Sequence, residues 1–407
     1  MNINLMRKID YYLGIPLSFI GSGVIKTVDF FRKKSSKNPN RILFIELSEM
    51  GSTIIADPAM KRAKNHFNAE LFFVIFSKNK PSLDLLGTIP EPNIFKLRED
   101  GLLTLTFDAI RFIFWCRRNK IDTTIDLELF SRVSALLTGF SFAYNRVGFH
   151  NFYNEGLYRG HMLTHKVSYN PHIHIAKNFI SLIHSLEVPN DEKPFSKIKI
   201  TDSDIKLDQV VFTENEKRSV QLRIEELYTD YSPKKHKLVL INPNASELLP
   251  QRRWPKNRYK TLMQNLLKQH DDVLILITGA PAEMAEAEDM KLEVANPRCI
   301  NFAGQLKLQQ MPILYCISEL MVTNDSGPGH FSSITPLKTF VLFGPETPKL
   351  YGSLGNSTPI FAGLACSPCV SAANHRRTPC TDPVCMTSIE VKDVEQQVSA
   401  YINHQRS

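Results

Sequence analysis

Short apolar runs alternate with longer helix-like segments along most of the chain. The runs predict β-strands at 41–47, 71–76, 123–127, from 147 onward, and at 237–241, 273–278, 299–302, 317–322 and 337–343. The segments between them predict helices near 54–67, 107–119, 131–138, 175–186, 252–270, 282–295 and 308–316. Strands that alternate with helices form parallel, doubly wound sheets. The pattern therefore predicts an α/β fold.

The chain of 407 residues has the length of two such domains. A polar stretch with two prolines at 188–194, followed by highly charged residues, indicates a connection between them. We expect an N-terminal segment at 1–40, a first domain at 41–194, a connector at 195–236, a second domain at 237–390 and a C-terminal helix at 391–407. Two domains of this kind would face each other across a central cleft.

The N-terminal segment is apolar from Tyr11 to Phe31, but Lys26 and Asp29 interrupt it. Counting the basic residues 7, 8, 26, 32, 33, 34 and 37 against the acidic residues 10 and 29 gives 7 − 2 = +5. This pattern favours an interfacial anchor on an anionic inner leaflet over a full membrane span. The alternative is a helix that packs on the protein's own body. A cleavable signal peptide is not expected.

Composition adds two constraints. The net charge of +8 and pI of about 9.0 suit an anionic partner. Nucleic acid is the weakest choice, because the basic residues form no dense tract interleaved with aromatics. Seven cysteines in 407 residues predict a reducing, cytoplasmic compartment rather than a disulfide scaffold.

Several unusual loops follow predicted strands. They lie at 48–53, 242–253, 279–283, 324–330 and 344–348. Parallel sheets bind ligands beyond the carboxyl ends of their strands, so these loops predict a binding site. The loop at 324–330, N-D-S-G-P-G-H, also begins a helix, whose free N–H groups suit a phosphate.

These loops carry a family resemblance. Four motifs occur in a consistent order along the chain. They are the first loop S-E-M-G-S with Pro58-Ala59 after it, the element R-R-W-P at 252–255, N-D-S-G-P-G-H with the later F-G-P-E-T-P, and C-x-x-C at 366–369 with M-x-x-I at 386–389. Together they resemble glycosyltransferase family 9, the bacterial heptosyltransferases.

The resemblance implies a GT-B fold and an inverting glycosyltransferase without a catalytic metal. The donor would be a nucleotide-diphosphate sugar, typically ADP-heptose. The acceptor would be the lipopolysaccharide core or a related lipid-linked glycan, and the enzyme would lie on the inner face of the bacterial inner membrane. An alternative is a non-catalytic member that binds a nucleotide sugar or glycan. A nucleotide-sugar epimerase on a related fold is a weaker third reading.

The resemblance also assigns donor-binding residues. They are Asn244, Ser246, Arg252, Glu283, Asp325, Ser326, Gly327 and His330. Arg252 and the N–H groups before His330 would neutralise the diphosphate, and Glu283 would contact the ribose. Structural alternatives stay open: Asp325 as a helix cap, His330 as a buried ring, and Glu283 as a partner of its helix dipole.

The catalytic base is the main departure from the family. Its usual Asp is replaced by Ser52, in the acceptor-side loop with Met50 and Gly51. Serine cannot act as a general base unaided. Glu49 is the preferred replacement, and Asp57 and Glu46 are the alternatives, although Asp57 could instead pair with Lys61.

Four late cysteines, Cys366, Cys369, Cys380 and Cys385, are spaced C-x2-C-x10-C-x4-C with His375 between them. Such soft ligands could hold a structural zinc. Reduced thiols or a regulatory disulfide are the alternatives.

Overall fold

The structure, a computed structural model, describes residues 3–32, 38–129, 131–152, 157–189, 192, 194–371 and 376–404. It forms two compact units, with the boundary between Lys206 and Leu207. The predicted connector is divided by this boundary, and its second half contains a helix of unit 2, described below.

Unit 1 contains a parallel six-stranded sheet in the order β3-β2-β1-β4-β5-β6. Its strands are β1 (Arg41–Ile45), β2 (Glu70–Phe76), β3 (Ile94–Leu97), β4 (Thr123–Asp126), β5 (Asn145–Phe149) and β6 (His165–Val167). Its helices are α1 (Ile3–Tyr12), α2 (Gly14–Phe31), α3 (Met50–Ile55), α4 (Asp57–Phe67), α5 (Lys80–Asp84), α6 (Leu102–Arg118), α7 (Arg132–Phe140) and α8 (Ile175–Glu187).

The central strands of unit 1 are buried on both faces, which explains their continuous apolar sequences. On one face, Phe112 and Cys116 of α6 join Leu137 of α7 in a single core with Leu43 and Phe72 of the sheet. Helices α6 and α7 therefore cover the same side of the first sheet.

The N-terminal helix α2 packs against α7 in unit 1. Its inward residues are small except for Ile25, and Ser22 accepts a hydrogen bond from the N–H of His161 at 2.7 Å. Asp10 pairs with Arg132 at 2.7 Å, and Asp29 pairs with Arg146. One face of α2 thus packs on the protein's own body, which was the alternative to a membrane anchor in the sequence analysis.

Unit 2 contains a second parallel six-stranded sheet, in the order β12-β11-β10-β7-β8-β9. Its strands are β7 (Lys237–Asn242), β8 (Val273–Ile277), β9 (Cys299–Asn301), β10 (Leu320–Asn324), β11 (Lys338–Phe343) and β12 (Ser357–Phe361). Its helices are α9 (Glu214–Leu227), α10 (Lys256–Gln269), α11 (Met284–Val294), α12 (Met311–Cys316), α13 (Gly327–Ser332), α14 (Pro348–Tyr351), α15 (Val384–Thr387) and α16 (Val391–His404).

The C-terminal helix α16 belongs to unit 2. Val394, Val398 and Ile402 fill the same core as the apolar face of α10. Asn265 of α10 also donates a hydrogen bond to Glu395 of α16 at 2.7 Å. The helix therefore packs beside α10 in the layer that covers one face of the second sheet.

Candidate functional site

The site of unit 2 is built around a buried amide at the end of β10. The Oδ1 atom of Asn324 accepts hydrogen bonds from the Trp254 N–H and the Tyr259 hydroxyl, both at 3.0 Å. Its Nδ2 donates to the carbonyl of Pro243 at 2.7 Å. All these bonds are buried or partly buried, so Asn324 fixes the loop after β7 against the end of β10.

Asp325 follows directly and is not a helix cap. It lies beside a second buried carboxyl group, Glu346, at the end of β11. Arg252 approaches both, with its Nη1 at 3.3 Å from Glu346 and 3.6 Å from Asp325. Arg376 holds Glu346 through two hydrogen bonds of 2.7 and 2.9 Å. Two carboxyl groups thus share two guanidinium groups in a buried cluster.

The two carboxyl groups have widely different pKa values. Burial, followed by the like charge of Glu346, raises the pKa of Asp325 to about 8. Burial also acts to raise the pKa of Glu346, but Arg376 and Arg252 together lower it to about 2. At neutral pH the pair holds one proton, on Asp325. The cluster then has a neutral Asp325, an ionised Glu346 and two arginines, so its net charge is positive.

Arg252 keeps part of its donor capacity. Its buried Nε has no hydrogen-bond acceptor among the residues that the structure describes. A guanidinium group in that state can bind an oxyanion without breaking its existing ion pairs.

The helix after Asp325 begins with Ser326 at the N-cap position. The Ser326 hydroxyl donates to the carbonyl of Asn324 at 3.1 Å and makes no cap bond to the helix. The backbone N–H groups that start at Gly327 are therefore uncapped by that side chain. His330 lies half-buried in the same short helix.

The loops after β7 and β8 bring Asn244 and Glu283 together at Gly279. A Cβ atom added to Gly279 would lie 2.8 Å from the Glu283 carboxylate and 3.0 Å from the Asn244 amide nitrogen. Glu283 accepts a hydrogen bond from the Ala280 N–H at 2.6 Å, and burial raises its pKa. Ser246 is exposed, and its hydroxyl accepts from the Leu248 N–H at 3.2 Å.

The corresponding loop of unit 1 is rich in acidic side chains. Glu49 occupies the N-cap position of α3, whose first residues are Met50 and Gly51, and accepts a hydrogen bond from the Ser52 hydroxyl at 3.0 Å. The N–H of Glu49 donates to the buried Glu46 at 3.3 Å. Burial, with the charges of Glu128 and Glu49 adding to it, raises the pKa of Glu46 well above its usual value.

Glu128, at the end of β4, holds this loop in place. One of its oxygens accepts from the Leu47 N–H at 3.0 Å and from the Ser48 hydroxyl at 2.8 Å. Burial raises the pKa of Glu128 despite these bonds. Behind it, Asp126 pairs with Arg159, which ties the end of β4 to the chain after β5.

Asp57 is engaged elsewhere. It is buried, and its two oxygens are occupied by the Thr88 hydroxyl and by the Lys61 ammonium group at 2.6 Å. The ion pair with Lys61 that the sequence left open is thus present in the structure.

Among the cysteines near the end of the chain, Cys385 is buried, and burial followed by the charge of the nearby Cys369 raises its pKa. Within the described residues, which exclude His375, no group of three or more Cys, His, Asp or Glu side chains is arranged to hold a metal ion. The zinc site that the sequence left open at Cys366, Cys369, Cys380 and Cys385 is therefore not preformed among the described residues.

The candidate residues lie after strands, as the sequence predicts, but their partners are not predictable in the same way. Asn324, Glu128, Glu346 and Arg376 were not assigned any role, although Glu346 lies within the recognised F-G-P-E-T-P motif. The sequence signal available for Glu346 was an acidic residue shortly after a predicted strand, within a recognisable motif. Arg376 lies 30 residues further along the chain and carries no comparable sequence signal.

The chain is similar to known heptosyltransferases. It is 25% identical over 163 residues to lipooligosaccharide heptosyltransferase 2 of Campylobacter jejuni, a match that covers 40% of this chain and half of that protein's length. It is 22% identical over 322 residues to lipopolysaccharide heptosyltransferase 1 of Campylobacter coli, which covers 75% of this chain and 84% of that one.

The fold has solved counterparts. The structure of E. coli ADP-heptose lps heptosyltransferase II superposes with a TM-score of 0.66 at 17% identity, covering 90% of this chain and all of that one. Two parallel six-stranded sheets of this kind are the α/β architecture of the GT-B class. Residues 112–378 match glycosyltransferase family 9 (heptosyltransferase), and the chain belongs to that family.

Proposed function

We propose that this protein is an inverting, metal-independent glycosyltransferase that moves a heptose from ADP-heptose to a lipopolysaccharide core or a related lipid-linked glycan. The arginine–carboxyl cluster of Arg252, Asp325 and Glu346 carries the proposal. It places a fixed positive charge and a neutral acid at the carboxyl ends of parallel strands, where a diphosphate is bound in such sheets. Family membership and the similarity to ADP-heptose-dependent relatives support this choice.

The donor diphosphate would be held by this chain's own groups. Arg252 supplies charge through its unused Nε, and the N–H groups from Gly327 onward supply hydrogen bonds. Neutral Asp325 adds no negative charge at pH 7, so the phosphates meet little repulsion. Asn244 and Glu283 are adjacent, and their polar atoms suit the hydroxyls of a ribose or sugar.

The transfer itself needs a base for the acceptor hydroxyl. We assign this role to Glu49 because it is partly exposed on the first loop, whereas Asp57 is buried in an ion pair. The acceptor oxygen bonds to the anomeric carbon, the bond from that carbon to the diphosphate breaks, and the proton passes to Glu49. ADP leaves with the bonding electrons, and one displacement inverts the configuration. Ser52, which donates to Glu49, orients the carboxylate.

A second candidate is a binding protein without transferase activity. Its motivation is Ser52, which replaces the family's Asp and cannot remove a proton by itself. In this case the donor cluster of unit 2 would bind a nucleotide sugar and release it unchanged.

The acceptor's lipid anchor would bring the enzyme to the inner face of the bacterial inner membrane. The net charge of +8 supports an anionic surface as partner.

The deciding experiment measures ADP release and acceptor mass in EDTA, with ADP-heptose and lipopolysaccharide cores truncated at successive sugars. Addition of one heptose to one core length supports the proposal. Donor binding without product on any acceptor supports the binding protein instead.

A further inference from the structure

Helix α2 has its apolar side turned outward. The side that packs on unit 1 consists of Gly14, Ser18, Gly21, Ser22 and Ile25. The exposed side carries Leu17, Phe19, Ile20, Val24, Phe30 and Phe31, and Phe30 is 84% exposed. A helix on the surface of a water-soluble protein normally turns its apolar side inward and its polar side outward. The exposed side of α2 therefore suits an apolar medium.

A second helix of unit 1 shows the same feature. Helix α6 turns Asp108, Phe112 and Cys116 inward. Its exposed residues include Leu103, Phe107, Ile110 and Phe114, and Leu103 is 88% exposed. Steps of four, three and four residues place these side chains along one line of a helix.

The two helices lie on the same side of the first sheet, on either side of α7. A Cβ atom at Gly21 of α2 would lie 3.3 Å from Leu136 of α7, and α6 shares its core with α7. Their C-terminal ends meet at Phe142. Arg32, after α2, donates to the Phe142 carbonyl at 2.7 Å, and Arg117 of α6 lies 4.8 Å from the centre of its ring.

The ends that meet are basic. Arg32 and Arg117 are joined there by the exposed Arg118 and Lys120. Rows of aromatic and aliphatic side chains that end in arginines and lysines match a bilayer with anionic headgroups, which takes up the apolar groups and attracts the charges. A protein partner would instead need one surface that is apolar along the length of both helices and acidic next to their basic ends.

Helix α2 is long and apolar enough to cross a membrane by length and composition. However, an ion pair binds the chain to unit 1 near each end of α2: Asp10 with Arg132, and Asp29 with Arg146. A helix held along its length on a folded unit lies in the plane of the membrane surface.

We propose that the outward faces of α2 and α6 together form a docking surface by which unit 1 lies on an anionic lipid bilayer. We refer to these residues as the α2–α6 surface. The inference deepens the proposed function by naming how the enzyme reaches a lipid-linked acceptor, but docking requires neither donor nor transfer. An experiment can therefore show that membrane docking fails while sugar transfer occurs, or that transfer fails while docking occurs.

The test is co-sedimentation of the full chain with vesicles of phosphatidylcholine alone or with phosphatidylglycerol at about 30%. Two double variants address the helices separately, Phe30→Ser with Phe31→Ser and Leu103→Ser with Phe107→Ser. Each is expected to weaken binding to anionic vesicles at least about tenfold, because each removes two apolar anchors. Arg118→Glu is expected to weaken binding mainly at low salt.

The matched control is Val211→Ser with Leu292→Ser, two exposed apolar residues of unit 2, which should bind as the wild type does. Because all these side chains are exposed, the variants should keep the wild-type melting temperature. Equal binding by wild type and both double variants would overturn the proposal. So would a wild-type dimer that ignores vesicles and becomes monomeric in the variants, since the occupant would then be a second copy of the chain.

Discussion

At the scale of single residues, the most informative group is the buried carboxyl pair. Asp325 and Glu346 lie together, and the two arginines contact Glu346 more closely than they contact Asp325, so they stabilise the charge of Glu346 more strongly. This division keeps a proton on Asp325 at neutral pH. The pair thereby remains compatible with a diphosphate, although it is made of two acids.

The first prediction concerns the pH dependence of stability. Because the folded-state pKa of Asp325 is raised to about 8, its contribution to stability is complete below pH 4 and is lost as pH rises through 8. Asp325→Asn keeps a neutral hydrogen-bonding group and removes this loss. The melting temperature of the wild type should therefore fall relative to the variant between pH 5 and 9, by at least about 3 °C. Parallel melting curves across that range would contradict the assignment.

The second prediction concerns Asn324. Replacement by Ala leaves the Trp254 N–H and the Tyr259 hydroxyl buried without their acceptor. The expected loss of unfolding free energy is about 3 kcal/mol, measured by urea denaturation. Asn356→Ala is the control, because it removes a single exposed side-chain bond and should cost under about 0.5 kcal/mol. Equal costs at both positions would show that the buried amide has no special role.

The third prediction concerns the base. Glu49→Gln should lower kcat by at least about 100-fold while leaving the donor Kd within twofold, because the amide cannot accept the acceptor proton. Glu91→Gln, an exposed acid of the same unit, is the control and should retain activity. A fully active Glu49→Gln enzyme would move the role to another acid, and Glu46 would be tested next.

Sequence alone predicted that Asp325, Arg252 and Glu49 lie in loops after strands, because each belongs to a recognisable motif. It could not reveal their pairing. Arg376 reaches Glu346 from a loop outside every predicted element, and nothing in its local sequence specifies that contact. Such long-range ion pairs depend on tertiary structure and have no periodic signal.

At the scale of elements, the central strands were predictable, and β9 was the edge strand that the apolar pattern also predicted among the described residues. Both β1 and β2 are continuous apolar runs because they are buried on two faces. Three short strands were missed, β3, β6 and β12, and all lie at sheet edges. Their partly exposed sequences carry polar residues, such as Lys96 in β3, that weaken the apolar pattern.

The fourth prediction tests how α2 is attached to unit 1. Gly160 has a φ of +77°, and a Cβ there would lie 2.7 Å from the Ser18 carbonyl and 2.5 Å from the Ser22 hydroxyl. Gly160→Ala should therefore loosen α2 and lower the hydrogen-exchange protection of its amides. Gly23→Ala, on the exposed side of α2, meets nothing within 4 Å and should preserve or increase protection. Full protection in Gly160→Ala would show that α2 does not depend on this close approach.

At the scale of the whole molecule, the chain combines a family 9 core with an N-terminal pair of helices. The core provides two parallel sheets whose loops carry the polar groups. The N-terminal pair contributes, with α6, an apolar and basic surface on unit 1. In our account the first feature binds the nucleotide sugar, and the second brings the enzyme to its lipid-linked acceptor.

The most direct test of the central claim is calorimetry of donor binding in EDTA, with ADP-, UDP-, GDP- and dTDP-sugars compared on the purified full chain. We predict that an ADP-sugar binds without metal, and that Arg252→Met weakens its binding by about tenfold or more, because one charge-assisted contact to the diphosphate is lost. Lys268→Met, a change of an exposed cation on α10, should leave the affinity unchanged. If the folded protein binds none of these sugars, the cluster at Asp325 only stabilises the fold, and the proposed donor site is wrong.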